Sequence, residues 1–196
     1  MGRYLVCVTG ASGAVYGLRV IRALVEGGHE AHAIVSAWGE RVVLEETGRK
    51  AAHWFSEFGL PAERVHNPAD LTAPPASGTF RLDGTCIAPC SMATVGALAS
   101  GSARNLVQRA GAVALKEGRT LVLATRETPL SLIDLRNLAT LAEAGAAILP
   151  ASPGFYHRPK TIDDLVDFVA GKVLDRLGVD HELFARWTGS PSYGQD

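Results

Sequence analysis

Short apolar runs alternate with amphipathic stretches along most of this 196-residue chain. The first run, Tyr4 to Val8, predicts a buried strand, and the stretch after it places Ala14, Leu18 and Ile21 on one side of a helix. Strands separated by helices pair in parallel through right-handed crossovers. The pattern therefore predicts an α/β fold, a single-domain doubly wound parallel sheet of the Rossmann or flavodoxin-like type.

Further strands are expected at residues 30–35, 85–88, 120–124 and 146–149, with helices at 38–47, 51–58 and 132–144. One helix is predicted to run from Met92 into the segment that follows. The last helix is expected to use Thr161 as its N-terminal cap. Its predicted buried stripe comprises Ile162, Leu165, Val166, Val169 and Val173. We expect one domain over residues 1–187 and a C-terminal tail over 188–196.

Composition narrows the kind of partner. Hydrophobic residues make up 47% of the chain, charged residues 20%, and the formal net charge is −1. Mixed charges of this kind predict neither a nucleic-acid surface nor a membrane surface, so a small-molecule partner is favoured. Three cysteines within apolar runs and histidines without zinc-type spacing predict neither disulfides nor a metal site. We expect a cytoplasmic protein.

Residues 84–103 carry no charge, and this segment is long enough by residue count to span a bilayer. Their proline, glycines and hydroxyl residues favour a buried strand followed by a helix of small residues instead. A helix that is small or apolar on every side needs cover on every side. We therefore expect this helix to pack in the interface of a homo-oligomer.

A glycine-rich turn, Gly10 to Gly13, joins the first strand to the first helix. Glycines let a ligand approach the backbone closely, and the N-terminus of a helix favours an anion. Taken alone the turn is a weak signal, because such turns serve several classes of nucleotide and sugar-phosphate proteins. The segment predicts an anion-binding site without specifying its ligand.

Ligands of doubly wound sheets bind beyond the carboxyl ends of the strands. Polar, glycine-rich or proline-bent segments follow all five predicted strands, namely Thr9 to Gly13, Ser36, Pro89 to Ser91, Thr125 to Glu127, and Pro150 to Tyr156. Nicotinamide-binding domains usually place Asp or Glu after the second strand, where this chain has Ser36, and the glycine spacing also departs from G-x-G-x-x-G. A mononucleotide such as FMN is therefore favoured over a dinucleotide.

Six segments together resemble a known family. In chain order they read T-G-A-S-G-A-V-Y-G-L-R, A-P-P-A-S-G, A-P-C-S-M-A-T, N-L-V-Q-R-A-G-A-V-A-L-K-E, L-V-L-A-T-R-E-T-P-L and P-A-S-P-G-F-Y-H-R-P. They resemble the UbiX-like flavin prenyltransferases, formerly described as small flavoprotein 3-octaprenyl-4-hydroxybenzoate carboxy-lyases. The resemblance extends from about Tyr4 to Trp187, and the number and order of the segments make it specific.

The resemblance implies an activity. Proteins of this family transfer a dimethylallyl group from dimethylallyl monophosphate to N5 and C6 of reduced FMN. Since a monophosphate offers little for Mg²⁺ to bridge and the chain has no D-D-x-x-D motif, we expect the reaction to need no metal ion. The product, prenylated FMN, is the cofactor of UbiD-type decarboxylases. The family also forms homo-oligomers, commonly dodecamers, in which neighbouring subunits contribute to one site. The sequence does not indicate which decarboxylase or pathway receives the product, and the preference for a monophosphate over a pyrophosphate rests on the resemblance.

The resemblance also implies roles for individual residues. It assigns FMN binding to Ala11, Ser12, Gly13, Ser36, Ser91, Met92, Ala93, Thr94 and Arg126. It assigns the phosphate of the prenyl donor to Arg109, Lys116, Arg126, Glu127, Tyr156 and Lys172. Ser12 and Glu46 resemble the pair that moves protons near the flavin, and Trp187 resembles an aromatic residue that closes the site. Lys116, Glu127 and Tyr156 complete the implied catalytic set.

Each assignment has a plainer alternative. Lys116 and Lys172 fit the solvated faces of helices, Tyr156 fits a core aromatic, and Arg126 with Glu127 fits an exposed ion pair. Two other functions also remain open for a chain with this fold. One is an FMN-dependent cysteine decarboxylase, which should have a catalytic histidine in the helix predicted at 38–47, where none occurs. The other is a non-catalytic FMN-binding module.

Overall fold

The computed structural model describes residues 1–187 and 189, and its centre is a six-stranded parallel sheet. The strands are β1 (Arg3–Val8), β2 (Glu30–Val35), β3 (Val65–His66), β4 (Gly84–Cys90), β5 (Thr120–Thr125) and β6 (Ala147–Pro150). Their order across the sheet is β3-β2-β1-β4-β5-β6. This doubly wound arrangement confirms the predicted fold class. The strand order runs one way from β1 to β3 and the other way from β4 to β6, and such sheets bind their ligands at the point between β1 and β4 where the order reverses.

Helices cover both faces of the sheet. They are α1 (Ala14–Glu26), α2 (Ala37–Thr47), α3 (Ala51–Glu57), α4 (Met92–Ala99), α5 (Leu106–Lys116), α6 (Leu132–Glu143) and α7 (Ile162–Leu177). Helix α1 packs with α7 and α2 on one face, while α4 packs with α5 and α6 on the other. Two buried apolar clusters, one on each face, hold these layers to the sheet.

Local chemistry explains where several of these helices begin. The side chains of Ser36, Ser91, Asn105, Ser131 and Thr161 each accept a hydrogen bond from a backbone N–H in the first turn of the following helix. A cap of this kind satisfies a donor that the helix itself leaves without a partner. The predicted role of Thr161 is thereby confirmed.

Gly17 sets the distance between α1 and the sheet. A Cβ at this position would collide with the carbonyl oxygen of Ala88 in β4 and would lie 2.8 Å from a methyl carbon of Val8 in β1. Only a residue without a side chain lets the helix approach the two strands so closely. The first turn of α1 is therefore held over the point where β1 and β4 meet.

Two sequence predictions about the elements were wrong, and one short strand was missed. The helix expected from Met92 onward is divided into α4 and α5, because Gly101 adopts a left-handed φ of +72° and Asn105 caps a new helix. Ile162 is 78% exposed because it is the first residue of α7, beyond the packed part of the stripe. The two-residue strand β3 was not expected, since it is too short to show alternation.

The uncharged segment 84–103 does form a buried strand followed by a helix. All seven residues of β4 are buried, and α4 follows directly after Ser91. Among the residues that the structure describes, no helix is long and apolar enough to cross a membrane.

Glu30 anchors the N-terminal end of the sheet. Its carboxylate accepts hydrogen bonds from Arg3 Nε at 2.7 Å and Nη2 at 3.2 Å, and it lies 3.0 Å from His32 Nε2. The hydrogen bonds from Arg3, and next that from His32, lower the pKa of Glu30 to about 2. A carboxyl whose pKa is lowered by folding stabilises the fold above its unfolded pKa and loses this contribution as the pH falls through its folded pKa.

We expect Glu30→Gln to destabilise the protein near pH 7 and to lose this disadvantage as the pH falls from about 4.5 toward about 2, where the wild-type carboxylate is protonated. Urea unfolding midpoints of both proteins across this range measure the effect. Glu63→Gln, at an exposed carboxyl, serves as the control. A constant difference between Glu30→Gln and the wild type at every pH would contradict the role of the Arg3–Glu30 pair.

Candidate functional site

Thr9 joins the two strands that flank the reversal of strand order. Its side chain is buried, and its hydroxyl donates a hydrogen bond to the carbonyl oxygen of Pro89 at 2.7 Å and accepts one from the N–H of Ser91 at 2.9 Å. The backbone N–H of Thr9 also donates to Pro89 at 3.2 Å. These bonds fix the end of β1 beside the start of α4, so they position the hydroxyl groups described next.

A cavity of about 260 Å³ opens at this point of the carboxyl edge. It is lined by Thr9, Gly10, Ser36, Trp38, Ser91, Ala93, Thr94, Asn105 and Gln108. The hydroxyls of Ser91 and Thr94 lie 3.1 Å apart, and the Ser36 hydroxyl accepts from the N–H of Gly39 at 3.0 Å. Three of the five predicted polar strand ends therefore converge here, at Thr9, Ser36 and Ser91, together with Ala93 and Thr94 of α4.

The residues of this cavity fit part of a mononucleotide. A Cβ at Gly10 would lie 2.5 Å from Cβ of Trp38, so only glycine leaves the backbone accessible there. Hydroxyl and amide side chains offer both donors and acceptors, as a phosphate or a polyhydroxyl chain requires. At about 260 Å³ the cavity is smaller than typical ligand pockets of about 300–1,000 Å³. FMN bound here would extend beyond it.

The glycine-rich turn already holds an anion from the chain itself. The carboxylate of Glu46 in α2 accepts hydrogen bonds from the N–H of Gly13 at 2.9 and 3.1 Å and from the N–H of Ala14 at 2.8 Å. It thus supplies the negative charge that the N-terminus of α1 favours. The sequence predicted an anion here, but these two N–H groups are bound to Glu46 and would reach a phosphate only after Glu46 moved away.

Gly13 and Tyr16 complete the turn. Gly13 has a φ of +102°, which favours glycine, and a Cβ there would lie 2.7 Å from the ring of Tyr16. Burial, and next the charge of Glu46, raise the pKa of Tyr16, and Arg126 partly offsets this shift. The charges of both Glu46 and Arg126 therefore act on the Tyr16 hydroxyl. Ser12 is exposed beside it and Ala11 is buried beneath it.

Arg126 connects the turn to the end of β5. Its Nε donates a hydrogen bond to the carbonyl oxygen of Ser12 at 3.2 Å. Glu127 follows it, is exposed, and accepts from the N–H of Thr128 at 3.0 Å. Both residues line a second cavity of about 110 Å³ between the end of β5 and the segment after β6. Ser12, Glu46, Arg126 and Glu127 are thus brought to the same edge of the sheet.

Three predicted phosphate ligands contact partners outside the two cavities and the glycine-rich turn. Lys116 is the last residue of α5, shortly before β5 begins, and therefore lies at the opposite edge of the sheet, where it pairs with Glu117 at 2.6 Å. Arg109 donates to the carbonyl oxygen of Ala76 at 2.9 Å, and Lys172 on α7 lies 3.3 Å from Asp175. Within one chain, none of these three contacts involves Arg126 or the glycine-rich turn.

Tyr156 and Trp187 do meet. Their ring centroids are 5.6 Å apart in an edge-on arrangement, and Tyr156 also packs edge-on against Phe168 of α7 at 5.9 Å. Both side chains are more than half exposed, with Tyr156 at 53% and Trp187 at 61%. Neither is a core residue, so the interpretation of Tyr156 as a buried aromatic is not supported.

Several lining residues were not identified from the sequence. Trp38, Asn105 and Gln108 line the first cavity beside Thr9, which the sequence had already placed among the polar strand ends. Thr9 and Asn105 carry a recognisable signal, since each is a polar residue at the end of an apolar strand or the start of a helix. The cysteines take no visible part, because burial raises the pKa of the Cys86 thiol to about 12 and that of Cys90 further.

Adjacent glutamates in α2 allow a matched test of the turn. Glu46 caps α1, whereas Glu45 pairs with Arg41 at 2.6 Å on the surface. We expect Glu46→Gln to lower stability by about 1 kcal/mol, or roughly 2–4 °C in melting temperature, because a charged acceptor is lost from the helix N-terminus. Glu45→Gln should change stability by less than about 0.5 kcal/mol. Differential scanning calorimetry measures both, and equal melting temperatures for the two variants would contradict the capping role.

The fold and the site define a class of protein, a mononucleotide-binding flavoprotein with a doubly wound sheet. The model of the Flavoprotein family matches residues 2–174, and the chain belongs to that family. A relative from Halalkalibacterium halodurans, named Flavin prenyltransferase UbiX, is 45% identical over 192 residues that cover 95% of this chain and 93% of the relative. The chain therefore belongs to the UbiX flavin prenyltransferases, as the sequence segments indicated.

Solved structures agree with this assignment. The crystal structure of AnUbiX in complex with FMN and dimethylallyl pyrophosphate superposes with a TM-score of 0.92 at 42% identity, covering 97% of this chain and 99% of that one. A dodecameric FMN-dependent UbiX-like decarboxylase from Escherichia coli O157:H7 gives a TM-score of 0.89 at 42% identity, covering 96% of this chain and all of that one.

Proposed function

We propose that this protein is a flavin prenyltransferase that transfers a dimethylallyl group from dimethylallyl monophosphate to N5 and C6 of reduced FMN. The observation that carries the proposal is the match to UbiX flavin prenyltransferases along 95% of the chain, at 45% identity. The site supports it, since hydroxyl groups line the cavity at the β1–β4 reversal while Arg126 and Glu127 lie at the same edge. FMN binding is further supported by the FMN held in AnUbiX.

In this proposal Ser36, Ser91 and Thr94 bind the phosphate and ribityl groups of FMN, with Ala11, Gly13, Met92 and Ala93 shaping the backbone around it. Reduced FMN supplies the two atoms that accept the five-carbon group. Ser12 and Glu46 lie at the turn that faces the reactive edge, where Glu46 holds the N–H groups of Gly13 and Ala14. A carboxylate at this place can accept the proton that the flavin loses as the new bond forms, and the carboxyl group so formed can release it again.

Departure of the phosphate needs positive charge and an acid. When the allylic carbon–oxygen bond breaks, the electron pair leaves with the phosphate, and a guanidinium near the departing oxygens stabilises that charge. Arg126 is placed for this role, and the Glu127 carboxyl group, which lines the same cavity, is proposed to pass a proton to the departing oxygen. Because Arg126 stabilises the negative charge and Glu127 supplies the proton, we propose that the reaction needs no metal ion.

Neighbouring subunits are proposed to supply the remaining cations. Within one chain Arg109 contacts Ala76 and Lys172 contacts Asp175, while Lys116 lies at the opposite edge of the sheet. A homo-oligomer can place that edge of one copy over the carboxyl edge of another. The dodecameric relative supports such an assembly. Tyr156 and Trp187 would then cover the prenyl group.

The other functions have less support. A cysteine decarboxylase of this fold would need its catalytic histidine in α2, and α2 contains none. A non-catalytic FMN module would not need Arg126 and Glu127 beside the turn. We further propose that a UbiD-type decarboxylase in the cytoplasm receives the product, because prenylated FMN is useful only to an enzyme that binds it.

The decisive experiment mixes the purified protein with reduced FMN and dimethylallyl monophosphate without oxygen and measures the flavin by mass spectrometry. We expect the flavin to gain one five-carbon unit, with equal yield in the presence of EDTA. Dimethylallyl pyrophosphate in a parallel reaction tests the donor. An unchanged flavin mass with both donors would refute the proposed activity.

Glu127→Gln tests the proposed acid. We expect FMN to bind as in the wild type while turnover falls by about 10²–10⁴-fold, since an amide cannot donate the proton that the departing oxygen needs. Glu143→Gln, at an exposed acid near the end of α6, is the control and should retain full turnover. Wild-type turnover in Glu127→Gln would remove its assigned role.

Mixing inactive subunits tests the shared site. Lys116→Met and Glu127→Gln should each be inactive alone, because each lacks one part of every site. Co-assembled in equal amounts, they should recover about a quarter of wild-type activity, since that fraction of sites pairs an intact Glu127 with an intact Lys116 from another copy. No recovery in mixed oligomers of confirmed composition would show that both residues act within one chain.

A further inference from the structure

Segment 181–187, here called the C-terminal arm, runs back along α7 toward the carboxyl edge of the sheet. His181 and Phe184 contact Gly171, Phe184 packs on Phe168 with ring centroids 5.0 Å apart, and Trp187 reaches Tyr156. The arm therefore carries Trp187 from the far end of α7 to the aromatic group beside the proposed prenyl site.

Asp175 on α7 is the polar anchor of this arm. Its Oδ1 accepts hydrogen bonds from Arg186 Nη2 at 2.8 Å and from His181 Nε2 at 3.2 Å, while its Oδ2 faces Lys172 Nζ at 3.3 Å. The N–H of Leu183 donates to Nδ1 of His181 at 3.2 Å. Since Nδ1 accepts, the ring proton lies on Nε2 and points at Asp175.

The electrostatics agree with an anionic anchor. Partial burial alone would raise the pKa of Asp175, but the hydrogen bonds from Arg186 and Lys172 outweigh it, so the pKa lies below its usual value. The His181 side chain is only 4% exposed, so its bond to Asp175 is shielded from water. A shielded, charge-assisted bond contributes more than a surface ion pair.

The helix surface is shaped to receive the arm. Phe168, Gly171 and Asp175 follow one another at spacings of three and four residues, so they share one face of α7. A Cβ at Gly171 would lie 2.5 Å from Cε1 of Phe184 and 2.6 Å from Cε1 of His181. Glycine within a helix costs about 1 kcal/mol relative to alanine, and its presence here is explained by the close approach of the arm.

We infer that Asp175 is a positioning residue, which docks the C-terminal arm on α7 and so places Trp187 against Tyr156 for binding of the prenyl donor. The inference rests on the proposed function, in which Tyr156 and Trp187 lie at the donor site. Asp175 also holds Lys172, one of the proposed phosphate ligands, on the same carboxylate. Arm position and phosphate binding are thereby connected through one side chain.

Two variants release the arm in different ways. Asp175→Asn removes the charge that holds His181 and Arg186, and Gly171→Ala removes the space for the arm while favouring the helix. In both variants we expect amide hydrogen exchange across residues 181–187 to accelerate by about tenfold, with exchange elsewhere unchanged. Asp175→Glu should restore slow exchange, and Asp180→Asn, which removes a nearby exposed charge, should behave as the wild type.

The kinetic measurement follows in the same proteins. We expect KM for dimethylallyl monophosphate to rise about tenfold in Asp175→Asn and Gly171→Ala, with kcat within about twofold and the Kd of FMN unchanged, because the arm closes over the donor. Wild-type exchange and KM in Asp175→Asn would overturn the inference, as would accelerated exchange with an unchanged KM. If the wild-type protein does not prenylate FMN, the proposed function fails, and wild-type exchange in Asp175→Asn would separately overturn the docking.

Discussion

The hydroxyl of Thr9 holds together the two strands on which the site depends. In a doubly wound sheet the chain leaves in opposite directions on either side of the strand reversal, so the loops there diverge and a crevice opens. Thr9 bridges that crevice at its base, with one bond to Pro89 and one to Ser91. The start of α4, with its hydroxyl-bearing residues, is therefore fixed relative to β1. Gly17 brings α1 against the same two strands, so three elements share one rigid base.

On this base the chain separates its charges from its neutral polar groups. The first cavity is lined by hydroxyls and amides, while the charged side chains Glu46 and Arg126 meet at the glycine-rich turn next to it. Glu46 satisfies the N–H groups that a phosphate would otherwise use. In the proposed function, the hydroxyl-lined cavity binds the phosphate and ribityl groups of FMN, and the charged side chains at the turn lie nearer the reacting atoms. This division suits a site that must hold a flavin tightly and still move protons.

Regular patterns made much of this structure predictable. The bounds of β2, the capping role of Thr161 and the convergence of polar strand ends all follow from hydrophobic periodicity and parallel pairing. The break between α4 and α5 was missed because small residues without charge look the same in one long helix as in two short ones. Ile162 was wrongly predicted to be buried, because periodicity identifies the face of a helix but does not show how far along the helix the packing elements extend.

The candidate site was harder to predict than the fold. Spacing alone could not distinguish Glu46 from Glu45, because only tertiary packing directs one to the turn and the other to Arg41. The family resemblance named Lys116, Arg109 and Lys172, but it did not show that within one chain they contact Glu117, Ala76 and Asp175. The assignments of the individual residues remain predictions, although their placement at one edge is observed for Ser12, Glu46, Arg126 and Glu127.

Lys116 lies at the edge of its own sheet opposite the carboxyl edge, and this position has a thermodynamic consequence. Under the proposed assembly, a ligand that needs cations from two copies binds the oligomer more tightly than the separated chain. By mass action, bound ligand then opposes dissociation of the subunits. Dilution of the protein, which favours dissociation, lowers the apparent affinity for the ligand. Such a chain would keep little affinity for its phosphorylated substrate until its copies have found one another.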